Sequence, residues 1–89
     1  MRLDMYLKCT GIIPRRPLAK QACDEGLVDV NGKQSKASSE VRVGDRITTR
    51  VGMKVEEFEV LLLTERPVAR ARRDEYAKLV SSERVALDI

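Results

Sequence analysis

Arg2, Lys8, Arg15, Arg16 and Lys20 stand near the start of this chain against a single nearby carboxylate, Asp4. Side chains of this kind make and break no bonds. Their chemistry is the grip of fixed positive charge on anions, and a guanidinium forks onto phosphate through two parallel N–H donors. A local excess of cations on neighbouring elements is the footprint of a phosphate-binding face, with a merely solvated basic surface as the plain alternative. Lys33 and Lys36, just past Asn31-Gly32, add a second line of cations. Asp4 has two readings: it caps or braces the first helix, or it pairs with Arg15 or Arg16 and aims that guanidinium outward.

Other chemistries find little support. The chain has no histidine, and Cys9 and Cys23 fit no metal-ligand spacing, so no zinc site, other metal, cofactor or catalytic residue is expected. The two cysteines read as small packing residues. The net charge of +3 conceals a lopsided distribution. Met1 to Arg50 holds ten basic and six acidic residues, whereas Val51 to Ile89 holds seven and eight. Structured RNA suits such a surface, because an A-form duplex offers a wide minor groove and two phosphate rows, recognised by shape and charge. With one Phe, two Tyr and no Trp, the chain lacks the stacking platforms that single-strand binders use.

The elements that must position these cations follow from periodicity. Leu3, Tyr6 and Leu7 share one face of a first helix, with Gly11 as its stop and Asp4 and Lys8 at pairing distance along it. A second helix starts near Arg15, which fits the cap position better than the helix interior, and ends at Gly26. Leu18, Ala19 and Ala22 form its apolar face, with Arg16 and Lys20 on another. Val28 and Val30 alternate before Asn31-Gly32, the strongest short hairpin signal. Val41 and Val43 alternate again as a second β segment. Arg46 to Val51 and Val55 to Leu63 read as longer strands joined around Gly52, with Phe58, Val60 and Leu62 on one face. Glu56, Glu57 and Glu59 make that hairpin acidic and a poor RNA surface. After Pro67 a last helix is expected from Val68 to about Ser82, striped by Val68, Ala69, Tyr76, Leu79 and Val80, with Arg72 in need of an acid or an outward path.

Eighty-nine residues make one α+β domain with a thin core, two short N-terminal helices on a small, mostly antiparallel sheet, and a C-terminal helix. Residues 1–66 would form the binding domain and 67–89 a helical extension of the same compact unit. No apolar segment follows a basic start, so no membrane insertion is expected and the chain reads as a cytoplasmic monomer.

Four pieces in order resemble the S4-type, or αL-motif, RNA-binding domain. Arg2-Leu3-Asp4 with Leu7 matches its opening, and Arg15, Arg16 and Ala19 its Ser-Arg-x-x-Ala element. Gly26, Val28, Val30, Asn31 and Gly32 match Gly-x-Val-x-Val-Asn-Gly, with Asp29 between the valines, and Val41, Gly44 and Asp45 close the pattern. Arg15 departs from the usual Ser or Thr, losing a side-chain cap and adding a charge. Most members fuse this module to a larger domain such as a pseudouridine synthase, for which there is no room here. A nearly free-standing copy with a tail like RARRDEYAKLV is similar to two bacterial groups, the fifteen-kilodalton heat-shock proteins and the shorter ribosome-quality-control proteins. The resemblance implies a non-enzymatic factor on large ribosomal subunits obstructed by peptidyl-tRNA, touching ribosomal RNA and tRNA, beside a partner that recruits charged tRNA. Two alternatives stay open: a protein-interaction adapter using the acidic hairpin and last helix, and the recognition-domain remnant of an RNA-modifying enzyme.

Overall fold

The computed structural model describes residues 1–85. Helix α1 (Leu3–Thr10) and helix α2 (Arg16–Asp24) precede a five-stranded sheet. Its strands are β1 (Val28–Val30), β2 (Lys33–Gln34), β3 (Arg46–Val51), β4 (Lys54–Val60) and β5 (Ala77–Arg84), with a 3-10 helix at Arg70–Glu75 before the last. The order across the sheet is β2-β1-β3-β4-β5, and every neighbouring pair is antiparallel.

Helix α1 is the centre of the molecule. Leu3, Tyr6 and Leu7 are fully buried, as are Ala19 of α2 and Val28, Ile47, Phe58, Val60 and Ala77 of the sheet. Its last turn closes on itself, Thr10 Oγ1 donating to the Tyr6 carbonyl at 2.7 Å. The Tyr6 hydroxyl donates to the Tyr76 carbonyl at 2.8 Å, which ties α1 to the start of β5. Burial raises the pKa of that phenol, so it remains a donor.

The two tight turns follow from residue type. Asn31 (φ 53°) and Gly32 (φ 80°) both adopt the left-handed conformation required by a two-residue turn between paired Val30 and Lys33. Gly26 is favoured by its backbone, whose φ of 76° lies in the left-handed region; a Cβ there would also displace the end of the flexible Gln34 side chain.

Four expectations are corrected. The helix expected from Val68 to Ser82 is the 3-10 turn followed by β5. Local periodicity permitted a helix, but Val80, Ser81 and Ser82 are weaker helix formers and β4 offers backbone partners. Pairing along β4, from Val60↔Ala77 to Lys54↔Arg84, outweighs the weak local preference. Val41 and Val43 form no strand, because Asp45 Oδ2 accepts from the Arg42 amide at 2.9 Å and turns the chain between them; Val41 is buried and Val43 is 60% exposed. Strand β4 ends at Val60, since the amides of Leu61 and Leu62 both donate to the Tyr76 carbonyl, and Leu62 is left exposed. Leu18 is also half exposed rather than packed with Ala19 and Ala22.

Candidate nucleic-acid interface

The site grows from one buried carboxylate. Asp4 lies in the first turn of α1, and its side chain is only 2% exposed. Its Oδ1 accepts from the Met5 amide at 2.8 Å and from Arg2 Nε at 3.1 Å. Its Oδ2 accepts from Arg2 Nη2 at 3.2 Å and from Arg16 Nε at 3.4 Å. Burial alone would push the Asp4 pKa up, but the bonds from Arg2 and the Met5 amide and the charges of Arg2 and Arg16 outweigh it, and the net shift is downward. Asp4 is therefore ionised at neutral pH. The two guanidiniums it holds remain about half exposed, at 52% and 46%.

Asp4 makes bonds of both kinds read from the sequence: it accepts the Met5 amide within α1, and it pairs with arginines. Its partners are Arg2 and Arg16, however, and not Arg15. The expected Asp4–Lys8 pair is absent, and the carboxylate takes Arg2, Arg16 and the Met5 amide instead; Lys8 is partly buried in the last turn of α1. Arg16 uses only Nε on Asp4, so both of its terminal amino groups keep their N–H donors for a fork on phosphate. Arg15 occupies the N-cap position of α2 without a side-chain bond, exposed beside Arg16.

A groove runs from this cluster between α2 and the segment after β2. Arg2, Lys20 and Lys36 supply its cations against one carboxylate, Asp24, with Gln34, Ser35 and Ser38 as polar neighbours. The loop holding Lys36 is built onto the start of α1. The Lys36 amide donates to Ser39 Oγ at 2.9 Å, and the carbonyls of Ser39 and Ala37 accept from the amides of Leu3 and Asp4 at 2.8 and 3.1 Å. Those bonds take up amides that a helix start leaves unpaired. The sequence reading missed Ser39 as the residue that positions Lys36; a serine three places on, able to accept a backbone amide in a turn, was the available signal. Lys33 is exposed on β2 and does not line the groove.

Cys23 borders the groove, and burial, together with Asp4 and Asp24, raises its thiol pKa to about 11. It stays a neutral packing group. Among the described residues no cluster of His, Cys, Asp and Glu could hold a metal ion.

The opposite side of the sheet is electrostatically settled. Arg50 donates to both oxygens of Asp29 at 2.9 and 3.0 Å and to the Gly26 carbonyl at 2.9 Å, which accounts for an aspartate between two valines. Arg46 takes up Glu57 at 2.7 Å and approaches Glu59 at 4.0 Å. The acidic hairpin is therefore offset in part by its own strand neighbour. Arg72 finds its acid in Glu75, at 2.9 Å.

With this geometry in hand, comparisons with known proteins point the same way. The sequence profile of the S4 domain matches residues 1–47. The RQC P-site tRNA stabilizing factor of Bacillus subtilis (strain 168) is 48% identical over 60 residues, covering 67% of this chain and 70% of that protein. Its namesake in Streptococcus pneumoniae (strain ATCC BAA-255 / R6) is 44% identical over 61 residues, covering 68% and 69%. Among solved structures, the trimeric structure of Vibrio cholerae heat shock protein 15 superposes with a TM-score of 0.84 over 91% of this chain and 82% of that one. At 23% identity that likeness speaks for the fold.

Proposed function

This chain belongs to the S4 domain family, among the RQC P-site tRNA stabilizing factors, and from that premise we propose that it steadies peptidyl-tRNA on obstructed large ribosomal subunits. It is a non-enzymatic RNA-binding factor of ribosome quality control. In the proposed complex Arg2, Arg15 and Arg16 grip phosphates of tRNA or ribosomal RNA, Lys20 and Lys36 follow the backbone along the groove, and Lys33 extends the contact to β2. A ribosome-bound role carries with it a cytoplasmic location.

The observation that supports this reading best is the shared carboxylate of Asp4. One buried negative charge between two half-exposed guanidiniums leaves a net positive face whose donors are held in place before RNA arrives. Preorganised forks of this kind lose less conformational freedom on binding than solvated arginines do. The adapter reading rests on an acidic hairpin and a last helix; Arg46 pairs with Glu57 of that hairpin, and the segment expected as a helix is strand β5.

Sucrose-gradient co-sedimentation tests the proposal. The protein is expected to travel with large subunits carrying P-site peptidyl-tRNA and to leave them after puromycin treatment. Equal association with both samples would remove the tRNA from the proposal, and association that survives ribonuclease would remove the RNA.

A further inference from the structure

A second pair of cations faces the loop that leads into Arg15 and Arg16. Gly11, Ile12 and Pro14 form one wall of a groove, and Val68, Arg70 and Arg73 form the other. The walls are joined by a backbone bond, the Val68 amide donating to the Cys9 carbonyl at 2.8 Å, so the fold sets their spacing. Pro14 is followed directly by Arg15 and Arg16, so the chain that forms this wall leads straight into the face described above.

Structural duties do not account for Arg70, and the one contact that Arg73 makes, with an aromatic ring, leaves its N–H donors unused. Cations often serve the carbonyls at a helix C-terminus, and this groove lies at the end of α1. Three of the last four carbonyls are already occupied: Leu7 accepts from the Ile13 amide at 3.1 Å, Lys8 from Gly11 at 3.0 Å, and Cys9 from Val68. Arg70 and Arg73 also have no carboxylate partner among the described residues, in contrast to Arg72. Arg73 lies 5.7 Å from the centroid of the Phe58 ring, a cation–π contact that restrains the side chain and uses none of its N–H donors. A guanidinium already restrained in this way loses little further freedom on taking a phosphate.

We propose that Arg70 and Arg73 form a second phosphate-binding site for structured RNA, so that one RNA backbone passes from Arg15 and Arg16 across the groove to the 3-10 helix. The proposal rests on the RNA-binding reading above. No carboxylate lines the groove, and the phosphodiester backbone of an RNA repeats its negative charge from one nucleotide to the next, as two separate cation sites require.

The test uses the full chain, large subunits carrying peptidyl-tRNA, and protein-free ribosomal RNA as a second probe, with affinity measured over a salt series. Arg70→Ala should weaken binding about 5-fold, Arg70→Glu by more, and Arg70→Ala with Arg73→Gln should flatten the log-log salt slope by about 2. Melting temperatures of the Arg70 variants should match the unmodified protein, because that side chain is exposed. Arg16→Ala measured beside them separates the two claims. If it weakens binding while Arg70→Glu binds with unchanged affinity and slope, the second site is wrong and the RNA-binding reading stands; if neither variant weakens binding, both fall. A loss on whole subunits with none on protein-free RNA would assign Arg70 to a protein partner and overturn the proposal.

Discussion

Asp4 Oδ2 lies 3.4 Å from Arg16 Nε, which joins the first turns of two helices through a carboxylate that solvent hardly reaches. The same carboxylate holds Arg2, so removing its charge should have two effects of opposite electrostatic sense. Asp4→Asn makes the RNA face more positive, and simple charge attraction then expects tighter binding. If aiming dominates, RNA affinity falls instead, by ~1 kcal/mol or more, because two guanidiniums are released to solvent. Filter binding at fixed salt decides the sign, and tighter binding would dismiss the aiming role.

Arg16→Ala should weaken RNA binding by ~1 to 3 kcal/mol, the scale of a charge-assisted contact. Its effect on stability should stay below about 1 kcal/mol, since Arg2 continues to neutralise Asp4. Arg16→Lys should recover only part of the affinity, because an ammonium keeps the charge without the planar fork. Full recovery would mean that the site reads charge alone.

The binding constant for structured RNA should fall with salt along a log-log slope on the order of −3 to −5, as several phosphates are neutralised together. A slope near zero would be incompatible with an electrostatic grip.

Asp29 and Arg50 should behave as a structural pair. Arg50→Met removes a two-pronged bond to Asp29 and a bond to the Gly26 carbonyl. With the pair partly exposed, the expected loss is ~1 kcal/mol of stability after solvent screening. RNA affinity below the melting temperature should not change. A weakened affinity in a fully folded variant would bring this face of the sheet into the interface.

Acid should unfold the protein through the same carboxylates. Asp4 and Asp29 both have pKa values lowered from the ordinary 3.8. A group depressed in the folded state contributes stability that is complete above its unfolded pKa and is lost as pH falls through the folded value. Melting temperature should therefore hold steady from neutral pH down to about 5 and then drop below about 4, and Asp4→Asn should blunt the drop. A curve for Asp4→Asn parallel to that of the unmodified chain would contradict the assignment.

Much of this was legible in the residues. Leu3, Tyr6 and Leu7 at helical spacing, Arg15 at a helix start flanked by prolines, and Asn31-Gly32 between valines each specify structure through interactions a few positions apart, and each appears in place. The cations near the N-terminus likewise showed what ligand the molecule would seek, because charge composition needs no fold to be read. Tertiary structure decided matters in which the partner is distant in sequence. Whether Asp4 would take Lys8, Arg15, Arg16 or Arg2 depended on how α2 crosses α1, and the carboxylate took Arg2 and Arg16 instead of Lys8. Ala77 to Arg84 became a strand because β4 offered an open edge, a preference no local pattern in that segment contains. Arg70 reached the loop before Arg15 only because the Val68 amide bonds to the end of α1. Short-range periodicity determines elements, whereas the pairing of edges and the sharing of a buried charge are settled by which groups the completed fold brings into contact.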